Sequence, residues 1–312
     1  MTRLVRILIW ITLAVVLVVN VASAYVRLAQ QGVGCEPWPQ CYGQTAPQDA
    51  GAVPREDAPH FFIRALHRFS ASVAAVLLLA IAFLGWGVWR RTGPRVAAVA
   101  LLVLAGGLTW LGVRTPSAAP VVTLGNVVGG MAMLALLAWL AAWRPVPRRG
   151  GTGRVGLAAW AGLALALVII QVALGALVNA RYGAGACVGL PDCAGIWWPQ
   201  HGTAGAFDIF RAIDVPIAAG EESARQAVHM THRFGGFVAA VALAIVGVAA
   251  LRRPDGPRGA AALLLALLAM QLALGAFMVG AGVPLAAATL HNAGANLLLA
   301  TVAWLLCRLE AP

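Results

Sequence analysis

The two halves of this chain are copies of one unit, and no other feature restricts its fold so severely. The stretch TLHNAGANLLLATVAWL at 289–305 answers TLGNVVGGMAMLALLAWL at 123–140, with Gly125 where the second copy has His291. Upstream, YVRLAQQGVGCEPWPQC (25–41) matches LVNARYGAGACVGLPDC (177–193), and IRALHRFSASVAAV (63–76) matches VHMTHRFGGFVAAV (228–241). The copies are offset by 152 residues at both cysteines, 165 at His67/His232 and 166 at Gly125/His291. A fused duplication with one 13-residue loop insertion accounts for those offsets. Each copy must therefore fold as the same supersecondary unit.

The solvent for that unit follows from its residues. With 61% hydrophobic and 11% charged residues, the chain is excluded from ordinary soluble domains. Eight apolar runs are long enough for a bilayer core, which takes roughly 20 helical residues. They lie at about 4–26, 67–89, 95–113, 120–143, 155–179, 229–251, 259–281 and 286–307, four in each half. The first is too long for a signal-peptide core and continues into the repeat, so it reads as a retained helix. The expected fold is all-α and integral to the membrane: eight transmembrane helices as two pseudo-symmetric four-helix bundles, with halves at 1–149 and 150–312.

Arginine gives the orientation, since the chain has no lysine. The amino terminus, the loops after spans 2, 4 and 6, and the tail hold 13 of the 22 arginines. With eight spans those segments share one side, which the positive-inside rule makes cytoplasmic. The expected location is the cell (inner) membrane, with both termini cytoplasmic. Nine of the eleven acidic residues fall in the two long loops of the opposite side. The net charge of +11 thus describes topology and a lipid-bilayer partner, with no basic stripe interleaved with aromatics for nucleic acid.

Both long outer loops carry a C-x5-C pair, Cys35 with Cys41 and Cys187 with Cys193. Outside the cell thiols oxidise and disulfides persist, so two intraloop disulfides are expected. The alternatives are a metal site built from all four cysteines, for which this spacing is loose, or redox exchange within a pair. Cys307 reads as packing within an apolar helix.

The histidines carry the chemistry. His67, His232 and His291 fall at the outer ends of spans 2, 6 and 8, at similar depth. An ionisable side chain in a span marks a functional site by default. Two neutral imidazoles from facing helices at one level suit the axial positions of a haem iron. Arg68 and Arg233 follow directly and are able to pair with carboxylates near the interface, haem propionates above all. A lone histidine at a helix end usually bonds to backbone or water; recurrence of the whole HRF unit favours ligation. His60, His201 and His229 read as loop or first-turn residues. Gln171 and Gln271, each four residues before a glycine on spans 5 and 7, read as helix packing with a polar interhelical bond. Trp38, Trp197 and Trp198 fit an interfacial aromatic belt or a cap over a site.

CEPWPQCYG in the first outer loop, two HR helices, the TLH start of the last span and the four-plus-four repeat together resemble the haem A synthase family, from about Arg3 to Arg308. That resemblance implies an eight-helix oxidoreductase converting the methyl group of haem O to the formyl group of haem A. It implies haem b as bound cofactor, haem O as substrate, and haem O synthase and the cytochrome oxidase assembly machinery as partners. Three of the family's four ligand-type histidines are matched, by His67, His232 and His291 as haem-iron ligands, while Gly125 with Asn126 beside it stands at the helix 4 position. Arg64 stands where the family often has a glutamate. His232 and His291 are then expected to hold a permanent low-spin haem b, with Arg68 and Arg233 on its propionates, and His67 to serve the reacting porphyrin. The glycines of GNVVGG either let a flat ring approach or pack helices. Two other classes stand beside the enzyme: a haem-binding assembly protein without oxidation activity, and a membrane haem electron carrier, which would want four axial histidines.

Overall fold

The computed structural model describes residues 2–33, 42, 58–115, 119–144, 152–214, 219–254 and 256–310. Within lipid a backbone must satisfy its own polar groups, and these residues do so as helices. The order is α1 (Arg3–Gln30), α2 (Ala58–Val88), α3 (Thr92–Val113), α4 (Pro120–Ala142), α5 (Thr152–Ala180), α6 (Glu222–Arg252), α7 (Arg258–Gly280) and α8 (Leu285–Glu310). All eight are long and apolar enough to cross a membrane, which makes this a multi-pass membrane protein. Among the described residues the sole β-pairing is the isolated bridge Cys193–Ile196. Local chemistry sets the ends. Thr2 caps α1 by accepting from the Val5 amide at 3.3 Å, Gly32 takes φ +79° just after it, and Pro120 opens α4 where no amide donor is needed.

Three helices reach at least four residues beyond what hydropathy indicates. α2 starts at Ala58 and α6 at Glu222, nine and seven residues before the apolar windows expected from 67 and 229. His60 accordingly lies in the first turn of α2 instead of a loop, and His229 in the second turn of α6. α1 runs four residues beyond its expected end, to Gln30. Hydropathy detects the lipid-immersed part of a helix, and hydrogen bonding carries the helix on into the headgroup layer. His67 and His232 therefore stand nine and ten residues inside their helices, roughly 14–15 Å along the axis, and not at the ends.

Within the amino-terminal half, α1 packs on α2 and α4, and α3 on the same two. Within the other half, α5 packs on α6 and α8, and α7 on the same two. Each half is thus a ring of four helices, in which α2 stands diagonally from α4 and α6 from α8. The halves meet through α4 with α8, α1 with α8 and α4 with α5. Exchanging α1–α4 for α5–α8 maps every one of these pairings onto another or onto itself. The two helices at the join are the most enclosed: half of the apolar window of α8 and 44% of that of α4 are buried, against 17% in α3 and in α7, which face lipid.

The join is polar. Asn20 on α1 donates at 2.9 Å to the Gly130 carbonyl of α4 and at 2.7 Å to the Asn296 side chain of α8. Asn296 in turn donates at 2.9 Å to the Asn292 carbonyl. Arg27 donates at 3.1 Å to Asn179, its own counterpart in the other copy. A lipid-facing carboxamide would lack partners, and enclosing these between the halves supplies them.

Candidate functional site

Four side chains converge from the four helices of the carboxy-terminal ring. His232 reaches in from α6 and His291 from α8, near enough to interact electrostatically. From the other diagonal, Gln171 on α5 donates its amide at 2.8 Å to the His232 carbonyl and lies 2.9 Å from His232 Nδ1. Gln271 on α7 donates at 3.0 Å to the His291 carbonyl. One turn after each glutamine comes the glycine on which the imidazole rests. A Cβ at Gly175 would stand 3.0 Å from His232 Cε1, and one at Gly275 would stand 3.4 Å from His291 Cε1. Three residues after each histidine a second glycine, Gly235 or Gly294, makes room for the glutamine oxygen. The unit Gln-x3-Gly against His-x2-Gly thus occurs twice.

Three polar atoms in this arrangement are buried without a partner: Oε1 of Gln171, Oε1 of Gln271 and Nδ1 of His291. An orphaned buried acceptor or donor is unfavourable by about 1–3 kcal/mol, so a cluster of them marks a place kept for something else. Two imidazoles on diagonal helices, cushioned by glycine, fit a haem: the donor set is right for iron, and among the described residues no acid clusters with them.

The amino-terminal ring is built differently. His67 is partly buried on α2. Diagonally across, a Cβ at Gly125 would stand 2.7 Å from Leu111, one at Gly129 2.9 Å from Leu108, and one at Gly130 2.6 Å from Asn20 Oδ1. The glycines of GNVVGG therefore pack α4 against α3 and α1, which is the helix-packing alternative. Between the halves a cavity of about 20 Å³, room for roughly one water, is lined by Asn20, Ser23, Arg27, Asn126, Asn292 and Asn296 with two apolar neighbours.

The second outer loop closes over the α6 end. Cys187 and Cys193 form a disulfide, so these thiols are not metal ligands, and among the described residues no cluster of metal-ligating side chains appears. Cys35, Cys41 and Trp38 lie outside the described residues. Arg233 donates to the carbonyls of Asp192 and, at 3.2 Å, Cys187, holding the disulfide loop to α6. Arg68 is exposed. His229 is buried, with Nδ1 2.8 Å from the Gly183 carbonyl, and His201 is exposed in the loop. Trp197 and Trp198 are exposed beside it, and Cys307 is buried in α8. Arg181, 1% exposed, binds the carbonyls of Gly205 and Asp208 at 2.6 and 2.7 Å and pairs with Glu221 at 3.9 Å. Burial draws its guanidinium below the ordinary arginine range, as does Arg211, against the opposing pull of Glu221 and Asp208. The Val121 amide at the start of α4 donates to Ile209 of the same loop at 2.8 Å.

An eight-helix membrane bundle with a doubled histidine cradle defines a class of intramembrane haem-handling proteins, and comparison with known proteins gives the family. Residues 6–303 match the COX15-CtaA family of cytochrome oxidase assembly proteins, and the chain belongs to that family. It is 31% identical to a heme A synthase of Shewanella oneidensis over 307 residues, covering 94% of this chain and 92% of that one. It is 25% identical to a heme A synthase of Rhizorhabdus wittichii over 332 residues, covering 95% and 91% respectively.

Proposed function

We propose that this protein is a haem A synthase, a membrane oxidoreductase that oxidises the methyl group of haem O to the formyl group of haem A for cytochrome oxidase assembly. The observation that carries the reading is the convergence of His232 and His291 inside one ring of helices, whereas the other ring carries His67 on α2 and only Gly125 at the matching position of α4. The carboxy-terminal half, residues 150–312, holds haem b through His232 and His291. A haem with two imidazoles is coordinatively full and supplies electron transfer. The amino-terminal half, residues 1–149, takes the substrate, where a single histidine leaves room for reaction and release. Lipid-facing helices flank both sites, and the pinned outer loop covers the α6 end of the carboxy-terminal one. Arg68 remains free to meet a porphyrin carboxylate at the membrane surface. The halves relate by a two-fold axis along the membrane normal, with both termini in the cytoplasm of a cell whose haem O synthase supplies the substrate.

The test is pigment extraction from cells making haem O, with and without this protein. Haem A is expected only with it. Purified protein that carries haem b but yields no haem A would instead make it a haem-binding assembly protein. The departures at Gly125 and Arg64 are what give that second reading its force. His291→Ala is expected to abolish the low-spin spectrum, and His67→Ala to spare it while blocking turnover; the opposite pattern would reverse the halves.

A further inference from the structure

We propose that Gln171 and Gln271 are positioning residues for the two axial imidazoles, each accepting the Nδ1 proton of its histidine once Nε2 faces iron. The inference rests on the haem reading of the site. A histidine bound to a metal through one nitrogen carries its proton on the other, and that N–H needs an acceptor to fix the tautomer and the ring orientation. In this site the acceptors at hand are the two glutamine oxygens, both buried and both without a partner.

The geometry favours Gln171 in particular. Its amide nitrogen already sits 2.9 Å from His232 Nδ1. The terminal torsion of glutamine is broad, so a turn of the carboxamide that gives up the 2.8 Å bond from its nitrogen to the His232 carbonyl carries the unpartnered Oε1 toward Nδ1. Gln271 makes the matching bond to the His291 carbonyl at 3.0 Å, and both its Oε1 and His291 Nδ1 are buried without a partner. Gly235 and Gly294 are the reason the carboxamides fit: a Cβ at Gly235 would meet Gln171 Oε1 at 2.7 Å, and one at Gly294 would strike Gln271 Oε1. Helix packing alone would explain one polar bond per helix pair. It does not explain why both glutamines select the histidine, leave one oxygen idle and lie against glycine.

An acceptor on Nδ1–H makes an imidazole a stronger donor to ferric iron. Removing the acceptor therefore raises the reduction potential of the bound haem. The experiment is a redox titration and low-temperature EPR of purified full-length Gln171→Leu and Gln271→Leu proteins, with Gln171→Glu and Gln271→Glu beside them. The expected result is an upward shift of midpoint potential and altered low-spin g values in the Leu variants, with no upward shift in the Glu variants, which keep an acceptor. Wild-type potentials and g values in haem-loaded Leu variants would overturn the proposal. If a Leu variant fails to hold haem, the Glu variant decides: haem retained without an upward shift upholds the role, and haem lost there too overturns it. Wild-type protein without low-spin haem would instead overturn the reading on which this inference stands.

Discussion

Alanine at Gly175 and alanine at Gly275 should move stability in opposite directions. An added Cβ meets His232 Cε1 at 3.0 Å in the first case and His291 Cε1 at 3.4 Å in the second. Carbon atoms pack best at about 3.5–4.0 Å, so the His232 ring must retreat by roughly 0.5 Å and the His291 ring by only about 0.1 Å. Retreat of His232 stretches its 2.9 Å contact with Gln171 to about 3.4 Å, a weakening that costs up to about 0.5–1.5 kcal/mol. Overpacking adds roughly 1–3 kcal/mol, while exchanging a mid-helix glycine for alanine returns about 0.5–1 kcal/mol. The balance is a destabilisation of about 2 kcal/mol, within a span of about 0.5–4, for Gly175→Ala and a change between zero and a gain of about 0.5 kcal/mol for Gly275→Ala. Thermal unfolding of the purified proteins in one detergent, with the low-spin spectrum recorded alongside, measures both. Equal shifts, or a larger loss at Gly275, would refute the cradle geometry.

Arg181→Ala should release the second outer loop. It removes two charge-assisted bonds worth about 1.5–3 kcal/mol each at a fully buried guanidinium, and limited proteolysis between residues 200 and 214 should accelerate while the helices stay intact. Asn20→Leu removes two bonds at the join of the halves and leaves the Asn296 side-chain oxygen without its donor; at about 0.6 kcal/mol per intramembrane bond plus the orphaned oxygen, a loss of about 2 kcal/mol in unfolding stability is expected. Gly125→His alone should fail to create a second bis-histidine haem, because its Cβ would have to displace the Leu111 side chain and the ring around it lacks the glutamines and glycines of the other copy. Haem content per chain unchanged from wild type is the expected outcome, and a doubled low-spin signal would contradict it.

The duplication and the eight spans were legible in the residues, because repeats and hydropathy are properties of the chain itself. The starts of α2 and α6 were not: Ala58–His60 and Glu222–Val228 are too polar for a hydropathy window, yet they continue the helix by hydrogen bonding. Gln171 and Gln271 stood out as carboxamides at one spacing, but their partners depend on how α5 faces α6 and α7 faces α8, which periodicity does not specify. Arg233 shows the same limit from the other side. A guanidinium beside a ligand-type histidine suggests a porphyrin carboxylate, and here the nearest acceptors are carbonyls of the outer loop, brought close by a disulfide 40 and more residues upstream.

The asymmetry between the copies runs deeper than one missing ligand. At an offset of 152, Val19 stands where the second copy has Gln171 and Ser23 where it has Gly175. At 165–166, Ala105 or Gly106 replaces Gln271, Ser70 replaces Gly235 and Val128 replaces Gly294. Of the doubled cradle the amino-terminal copy retains His67 and nothing else. A chance loss at position 125 would leave the supporting glutamines and glycines in place, since each also packs helices. Their joint absence, together with a helix 4 face filled by Leu111 and Leu108, supports the proposal that the amino-terminal ring serves a different task. A site with one imidazole, no carboxamide support and glycines already committed to packing suits a guest that enters and leaves. The fully furnished ring suits a group that stays.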